Sequence, residues 1–425
     1  MRSLKSIALM GVGAAAMFAQ SAFAQDYYQR NRYEAVTDRV QPEFDPEPVR
    51  LGAFVTRPTL EVGVLQNDNV FADDANSESD TVIRIAPRIN AASDWSVHEI
   101  GGNLAVEHDE YLDLSSETAT NVRGDVNGRL DVNRDLSLAG RIFGQDLVES
   151  RTAVSANQNF REPVEFTVVG FEGEARFQRD RVQASATFNQ STLDYDDTDL
   201  PNGVLIDQDF RDSVARTLRG RVAYAVSPDV AVFGQAELNE RDFDLNATLN
   251  TEDGLVVTSR DTEGYAVQAG VNFELPILIR GDVAVGFLED TPDDTTNFDE
   301  VSGLSVDANV EWFPTRLTTV TFNASRRAID PGLQDVANAA QTTLRARVDH
   351  ELRRNVVLFA NVGQSELDFE GTNDTNELTD FGVGALYKLN KRAHLEGFYR
   401  LFNRESTVSP EFDQNIIGVT LRVFP

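Results

Sequence analysis

Residues 121–135 read NVRGDVNGRLDVNRD and show the clearest structural pattern of the chain. From residue 121 to residue 132, every odd position is Asn, Arg or Asp, and every even position is Val, Gly or Leu. Successive side chains of a β-strand point to opposite faces, so this segment predicts a strand with one polar face and one apolar face. A half-buried sheet and the wall of a membrane barrel both show this alternation. The rest of the sequence must distinguish the two.

A secretory signal peptide is predicted over residues 1–24. Arg2 and Lys5 precede an apolar run over 7–18, and AFA at 22–24 provides the cleavage site. We expect cleavage before Gln25. The chain has no Cys, so an exported protein of 425 residues must be stabilised by a large core or a closed sheet rather than by disulfides.

Composition excludes two classes of protein. After the signal peptide, no segment has the 18 or more consecutive apolar residues of a membrane-spanning helix. The net charge of -31 disfavours nucleic acid, whose phosphates require a basic surface.

Residues 25–52 contain Pro42, Pro46 and Pro48 and predict a flexible periplasmic segment. A docking site for a periplasmic partner is the alternative for these residues.

The opening alternation recurs from residue 53 to residue 425 in about 18 segments of strand length. The clearest are 81–91 (TVIRIAPRINA), 169–177 (VGFEGEARF), 217–226 (TLRGRVAYAV), 303–312 (GLSVDANVEW) and 343–352 (TLRARVDHEL).

Two residues depart from the alternating pattern. Pro87 removes a ladder donor within its strand and predicts a bulge or a poorly paired position. Phe424 lies out of phase with the apolar face of the last strand.

The connections between these segments alternate between short and long. The short turns are at 92–96, 133–135, 179–181, 227–229, 275–281, 313–316, 353–355 and 390–392. Long acidic connections such as 67–80, 193–212, 239–264 and 288–302 lie between them. Outer-membrane barrels have this asymmetry and sandwiches do not. We therefore predict an all-β, transmembrane, antiparallel up-and-down barrel of about 18 strands, with short periplasmic turns and long extracellular loops, in a Gram-negative outer membrane.

Aromatic residues recur at one level of the predicted barrel. Each lies on the apolar face, shortly before a short turn, where Tyr and Trp can place an apolar body in lipid and a polar tip among the headgroups. The predicted interface girdle consists of Phe177, Tyr224, Phe273, Trp312 and Tyr387.

The opposite face of the strands predicts the lining of a wet lumen. The candidate pore-lining residues are Arg84, Arg88, Arg123, Asp125, Arg129, Asp131, Arg141, Glu172, Glu174, Arg176, Arg219, Arg221, Asp307, Glu311, Arg345, Arg347 and Asp349. Facing rows of opposite charge would set a transverse field, whereas mutual ion pairs would stiffen the wall, and both interpretations remain open.

Five phenylalanines also point inward. Their faces could contact passing sugars, or they could pack against a loop folded into the lumen; they are Phe143, Phe233, Phe359, Phe398 and Phe402. The connection at 240–264 is long enough to fold into the pore and constrict it.

No metal site, cofactor or catalytic site is predicted. The pairs Asp73–Asp74, Asp196–Asp197 and Asp293–Asp294 lack the spacing of a calcium loop and are best explained as a solvated rim. Hydrolysis would need a nucleophile beside a base such as His. Of the four histidines, only His108 approaches a loop, so an enzyme is disfavoured.

Several stretches resemble the putative beta-barrel porin 2 family. They are 60–71 (LEVGVLQNDNVF), 279–294 (IRGDVAVGFLEDTPDD), 311–330 (EWFPTRLTTVTFNASRRAID), 350–371 (HELRRNVVLFANVGQSELDFEG) and 386–406 (LYKLNKRAHLEGFYRLFNRES). Members of that family resemble outer-membrane barrels associated with exopolysaccharide synthesis and export.

The resemblance implies that this chain supports exopolysaccharide export. A general diffusion porin for small hydrophilic solutes is the alternative, and a non-conducting structural or tethering barrel is a second. The expected partners are outer-membrane lipid, lipopolysaccharide and the barrel-assembly machinery. Polysaccharide and periplasmic export proteins are further candidates, and nucleic acid is not expected.

Overall fold

A computed structural model describes residues 32–251, 254–372 and 374–425. Within these residues, the main sheet has 19 strands, made up of the short strand Val49–Leu51 and 18 long strands that we number β1 to β18. The first nine are β1 Phe54–Asn67, β2 Asp80–Ser93, β3 Glu99–Tyr111, β4 Ala119–Asp131, β5 Leu136–Val148, β6 Glu165–Arg179, β7 Val182–Tyr195, β8 Ser213–Ser227 and β9 Val230–Phe243. The others are β10 Thr262–Leu275, β11 Ile279–Pro292, β12 Val301–Thr315, β13 Thr318–Ile329, β14 Ala339–Arg353, β15 Val356–Asp368, β16 Thr375–Asn390, β17 Ala393–Ser406 and β18 Phe412–Val423. The predicted signal peptide, 1–24, lies outside the described residues.

The long strands close into a barrel. Each pairs antiparallel with the next, and β18 pairs back onto β1 from Val423 opposite Leu60 to Ile416 opposite Asn67. Residues 49–51 pair with the start of β1, beyond the end of β18. Closure removes the sheet edges and satisfies the backbone groups that lipid cannot solvate. The predicted fold class is confirmed.

Connections alternate in length around the barrel, as the sequence predicted. The turns at one end are 94–98, 132–135, 180–181, 228–229, 276–278, 316–317, 354–355 and 391–392. The loops at the other end are 68–79, 112–118, 149–164, 196–212, 244–261, 293–300, 330–338, 369–374 and 407–411. Small two-stranded hairpins lie in two of these loops, Thr198–Asp199 with Leu205–Ile206, and Ala247–Thr251 with Gly254–Thr258.

The two faces of the wall differ as period-2 alternation requires. Outward side chains are exposed, for example Val126 at 60% and Ile142 at 68%, whereas the inward Glu172 is 6% exposed. The predicted girdle residues Phe177, Tyr224, Phe273, Trp312 and Tyr387 all lie on the outward face near the turn end. Within the described residues, no helix is long and apolar enough to cross a membrane.

Both departures from the alternation have a structural explanation. The β2–β3 ladder runs through Ile85 opposite His108, lapses at Ala86 and Pro87, and resumes in the same register at Arg88. Pro87 therefore produces a poorly paired position without a bulge. At the C-terminus, Phe424 packs edge-on against His394, with ring centroids 4.8 Å apart, and its N–H donates to the carbonyl oxygen of Arg392. Its inward position explains why it is out of phase with the lipid-facing residues.

The described part of the segment predicted to be flexible, residues 32–48, lies against the barrel. Residues 32–48 run along the inner surface of the turn end and contact the turn before β9 and strands from β10 to β17. Composition did not reveal this arrangement, because three prolines and alternating charges are also typical of a linker. The segment is anchored by stacking, hydrogen bonds and ion pairs along its length.

Candidate pore

All of the predicted pore-lining residues lie on the inner face of the barrel. They are Arg84, Arg88, Arg123, Asp125, Arg129, Asp131, Arg141, Glu172, Glu174, Arg176, Arg219, Arg221, Asp307, Glu311, Arg345, Arg347 and Asp349. Strand register brings many of them side by side, for instance Arg141 directly opposite Glu172 on β6. The inner wall therefore carries closely spaced charges of both signs.

Most of the inward arginines form ion pairs along the wall. Arg347 and Asp349 pair at 2.8 Å within β14, and Arg141 reaches Asp125 on the neighbouring β4 at 3.2 Å. Within the described residues, the other predicted inward arginines with a carboxylate partner are Arg84, Arg88, Arg129, Arg176, Arg219 and Arg221. Opposite charges alternate around the wall and are not segregated onto two sides. Of the two interpretations left open by the sequence, this geometry favours ion pairs that stiffen the wall.

Four of the five inward phenylalanines lie opposite a glycine on the next strand. The register pairs Phe143 with Gly170, Phe233 with Gly270, Phe359 with Gly384 and Phe398 with Gly418. A Cβ at any of these glycines would collide with the facing ring. Each ring therefore reaches over the backbone of its neighbour, and glycine is required there by this close approach.

An arginine side chain covers each of the same rings. The guanidinium carbons of Arg141, Arg221, Arg347 and Arg400 lie 5.0, 3.5, 4.8 and 4.5 Å from the ring centroids of Phe143, Phe233, Phe359 and Phe398. These are cation–π distances. Phe402 instead packs with Leu378 and Phe412 near the loops. Little aromatic surface is left for a sugar ring, so the geometry gives a sugar-contact role little support.

The loop 149–164, between β5 and β6, crosses the lumen. Its residue Val154 packs against Ile329, Leu367 and Phe369, which belong to the opposite side of the barrel. The hydroxyl of Ser409 donates to the carbonyl oxygen of Val154 at 2.8 Å. The tip of this loop therefore reaches nearly halfway round the ring of strands.

Two buried ion pairs hold the base of this crossing loop. Arg151 pairs with Glu117 at 2.7 Å, and Arg211 pairs with Glu149 at 2.5 Å, all with side chains no more than 6% exposed. Burial by itself lowers the pKa of Arg211, but the Glu149 carboxylate more than reverses this and raises it. Removing one member of such a pair would leave an uncompensated buried charge. The loop is thus fixed at its base and at its tip.

The loop 149–164 crosses the lumen, and the connection 240–264, expected as a constriction, packs against the loops 293–300 and 330–338. The hairpin Ala247–Thr251 and Gly254–Thr258 packs at its base against Phe298 and Ala337, while Leu255 and Val257 at its far strand are exposed. Thr258 donates its hydroxyl hydrogen to Asp294, so this hairpin is tied to the adjacent loop 293–300. Length alone did not indicate that the loop 149–164 crosses the lumen.

The acidic pairs lie in loops, and His108 lies on the outer face of the barrel. Asp73 caps a short 3-10 helix by accepting from the N–H of Ala75 at 2.9 Å. Asp197, Asp207 and Asp209 lie close together and are exposed. His108 contacts Thr120 at 2.8 Å on the outer face. Because β3 and β4 pair at that level, their N–H groups are engaged in the ladder and are not available to stabilise an oxyanion.

Comparison with known proteins identifies a family. A family model described as Putative beta-barrel porin 2 matches residues 41–424. No curated protein matches the sequence.

Several solved structures are similar in fold. The outer membrane protein opdK of Pseudomonas aeruginosa is 11% identical, with 88% of this chain and 99% of that chain covered and a TM-score of 0.46. OccK2 (OpdF) of the same organism is 9% identical, with 87% and 98% covered and a TM-score of 0.46. A BenF-like porin from Pseudomonas fluorescens Pf-5 is 9% identical, with 87% and 99% covered and a TM-score of 0.45.

Proposed function

This chain belongs to the putative beta-barrel porin 2 family, and from that premise we propose that it is an outer-membrane channel for small hydrophilic solutes. A closed barrel of 18 strands is wide enough to leave an aqueous channel between its walls. The observation that carries the proposal is the contrast between the faces, with an apolar outer wall and an inner wall of charged residues. Such an inner wall is stable when it is in contact with water.

The crossing loop supports a limit on solute size. Residues 152–155 lie between β5–β6 and the far side of the barrel, and their carbonyl oxygens accept hydrogen bonds from Arg404 and Ser409. A loop held in this way narrows the passage without closing it. Small solutes then pass more readily than long or branched ones.

The charges of the wall and of the loops support a weak preference of the channel for cations. Most inward arginines have carboxylate partners beside them, so much of the fixed charge of the wall is cancelled locally. The extracellular loops carry exposed acidic groups such as Asp207 and Asp209. Their field raises the local concentration of cations at that entrance.

Exopolysaccharide export is the function implied by the family resemblance, and we rank it second. Its support is the family alone. Two features count against a wide glycan conduit, namely the rings of Phe143 and Phe233 covered by arginine and the loop that crosses the lumen. A non-conducting tether would require the loops to fill the lumen completely.

Osmotic swelling of proteoliposomes tests these candidates. We expect rapid swelling with monosaccharides, slower swelling with disaccharides and little with longer oligosaccharides. Liposomes without protein and liposomes with heat-unfolded protein serve as controls. Swelling that is equally fast for all oligosaccharide lengths would favour a glycan conduit, and no swelling with any sugar would favour a tether.

A further inference from the structure

Residues 32–48 follow the inner surface of the periplasmic mouth over about half of the barrel. Their partners are inward side chains near the ends of β10, β12, β13, β14, β16 and β17, and these partners are Glu274, Phe313, Thr319, Glu351, Lys388 and His394. The segment therefore lies within the mouth and not on the lipid side of the rim. It continues into Val49–Leu51, which pairs with β1.

The first anchor of the segment is Tyr33. Its ring stacks on Phe313 with centroids 5.1 Å apart, and its hydroxyl donates to the carbonyl oxygen of Leu275 at 2.9 Å. Arg280 donates to the carbonyl oxygen of Tyr33 at 2.9 Å. Aromatic stacking in a partly buried site is not weakened by salt.

The second anchor is apolar and buried. Ala35 is 2% exposed and Val36 is 5% exposed, and the Val36 N–H donates to the hydroxyl oxygen of Thr319 at 3.0 Å. Arg39 then pairs with Glu351 on β14. Backbone as well as side chains of the segment are therefore bound to the wall.

The third anchor consists of ion pairs to two lysines. Lys388 Nζ lies 2.9 Å from Asp45, and Lys391 pairs with Glu47. His394 contacts the carbonyl oxygen of Phe44 at 3.0 Å. The sequence has three lysines, Lys5 in the predicted signal peptide and these two. Both barrel lysines thus contact the segment, although arginine supplies the positive charge elsewhere on the wall.

We propose that residues 32–48 form a strap that narrows the periplasmic entrance of the channel, fixed at Tyr33 and Val36 and releasable at Asp45 and Glu47. The proposal rests on the channel function proposed above. The Lys391–Glu47 pair is exposed, whereas the Lys388–Asp45 pair is partly buried. Salt screens exposed pairs more than buried ones, and it does not weaken the apolar anchors. The stretch around Asp45 and Glu47 is therefore the part of the strap that loosens, while Val49–Leu51 stays paired with β1.

The position of the strap is tested by zero-length cross-linking of the full mature chain with a water-soluble carbodiimide. Amide bonds between Lys388 and Asp45 and between Lys391 and Glu47 are expected in peptide mass spectra. Two barrel lysines give few alternative products, and this readout does not require conduction. Absence of both cross-links would overturn the placement.

The effect of the strap is tested by single-channel conductance of Asp45→Ala with Glu47→Ala. Because the strap and the crossing loop lie in series, each adds to the resistance of the pore, and we expect conductance to rise by roughly 1.5-fold or more. Asp135→Ala with Asp180→Ala removes two carboxylates from periplasmic turns that the strap does not contact and should leave conductance unchanged. Cross-linked wild-type protein should also keep its low conductance at salt concentrations that release the strap of untreated protein.

The outcomes separate the strap from the channel. Equal conductance in the wild type and in both double variants overturns the strap and leaves the channel intact. An equal rise in both double variants also overturns it, since loss of charge alone would then explain the change. If the wild type and all variants fail to conduct, the proposed channel is wrong, and the strap has no entrance to narrow.

Discussion

Arg404 on β17 donates a hydrogen bond of 3.2 Å to the carbonyl oxygen of Ala153, which belongs to the loop between β5 and β6. β17 is well separated around the ring from β5 and β6, which carry this loop. The contact therefore spans part of the lumen. Ala153 is fully buried and Arg404 is 1% exposed. The contact therefore holds the constriction in a dry, packed site near the extracellular end.

Arg404→Ala should loosen the crossing loop. The variant leaves the buried carbonyl oxygens of Thr152 and Ala153 without this donor, which costs about 1–3 kcal/mol. We expect larger and noisier single-channel conductance steps. Arg161→Ala, an exposed site in the same loop, should conduct like the wild type. Ser409→Ala is a milder substitution that removes the neighbouring hydrogen bond to Val154. Identical conductance steps in the wild type and the three variants would show that these hydrogen bonds do not limit flow.

Gly270→Ala should destabilise the barrel. The added Cβ would collide with the Phe233 ring and the carbonyl oxygen of Val283. Overpacking of this kind costs roughly 1–3 kcal/mol, which should lower the temperature at which the folded band is lost in heat-modifiability gels. Gly234→Ala on the adjacent β9 has no heavy atom within 4 Å of the added Cβ and should behave as the wild type. Equal melting of both variants would argue against the Phe–Gly contact.

The loop before β8 should become less firmly packed as pH rises. Burial, followed by the nearby carboxylates of Asp194, Asp209 and Asp244, raises the pKa of Asp212 to about 6, although the N–H of Tyr195 opposes this. An Asp whose pKa is raised on folding stabilises the folded form below its unfolded value, near 3.9, and this stabilisation is lost as pH rises through about 6.

Hydrogen exchange of residues 196–212 measures the effect. After correction for intrinsic rates, protection should be greater at pH 5 than at pH 7.5. Asp212→Asn keeps an acceptor for Tyr195 and should remove most of this difference. Asp180→Asn, in a periplasmic turn, should retain it. An unchanged pH dependence in Asp212→Asn would rule out this carboxyl as the cause.

Arg347→Ala should shift the channel toward cations. Its partner Asp349 has a side chain only 5% exposed and would lose the guanidinium 2.8 Å away. A negative charge without its partner attracts cations to that level of the wall. Reversal potentials in a salt gradient should move in the cation-selective direction. Arg179→Ala, at the exposed end of β6, should shift them much less, and equal shifts would place the selectivity outside the wall.

The strands and the closed barrel could be predicted because their signal is local. Alternation in 121–132 and in 303–312 is set by which residues face lipid, and the turns after each strand are visible as short polar breaks. The inward orientation of Arg141, Glu172 and Arg347 follows from the same period. Register with the next strand is not needed for any of these predictions.

The contacts that shape the pore depend on residues distant in sequence. Gly170 opposite Phe143 is visible only when the β5–β6 register is known. The loop 149–164 resembles other polar connections, and Arg404, which holds it, lies some 250 positions away. In the strap, Pro42 and Pro46 obscured the signal of Tyr33, Ala35 and Val36, which are apolar residues in an otherwise charged segment.

The most direct test of the central claim is single-channel conductance of the wild-type protein in planar bilayers, with and without soluble fragments of the host's exopolysaccharide. We expect discrete conductance steps that the fragments do not block. Steps that the fragments block reversibly would indicate a glycan conduit, and a protein that inserts but never conducts would contradict the channel itself.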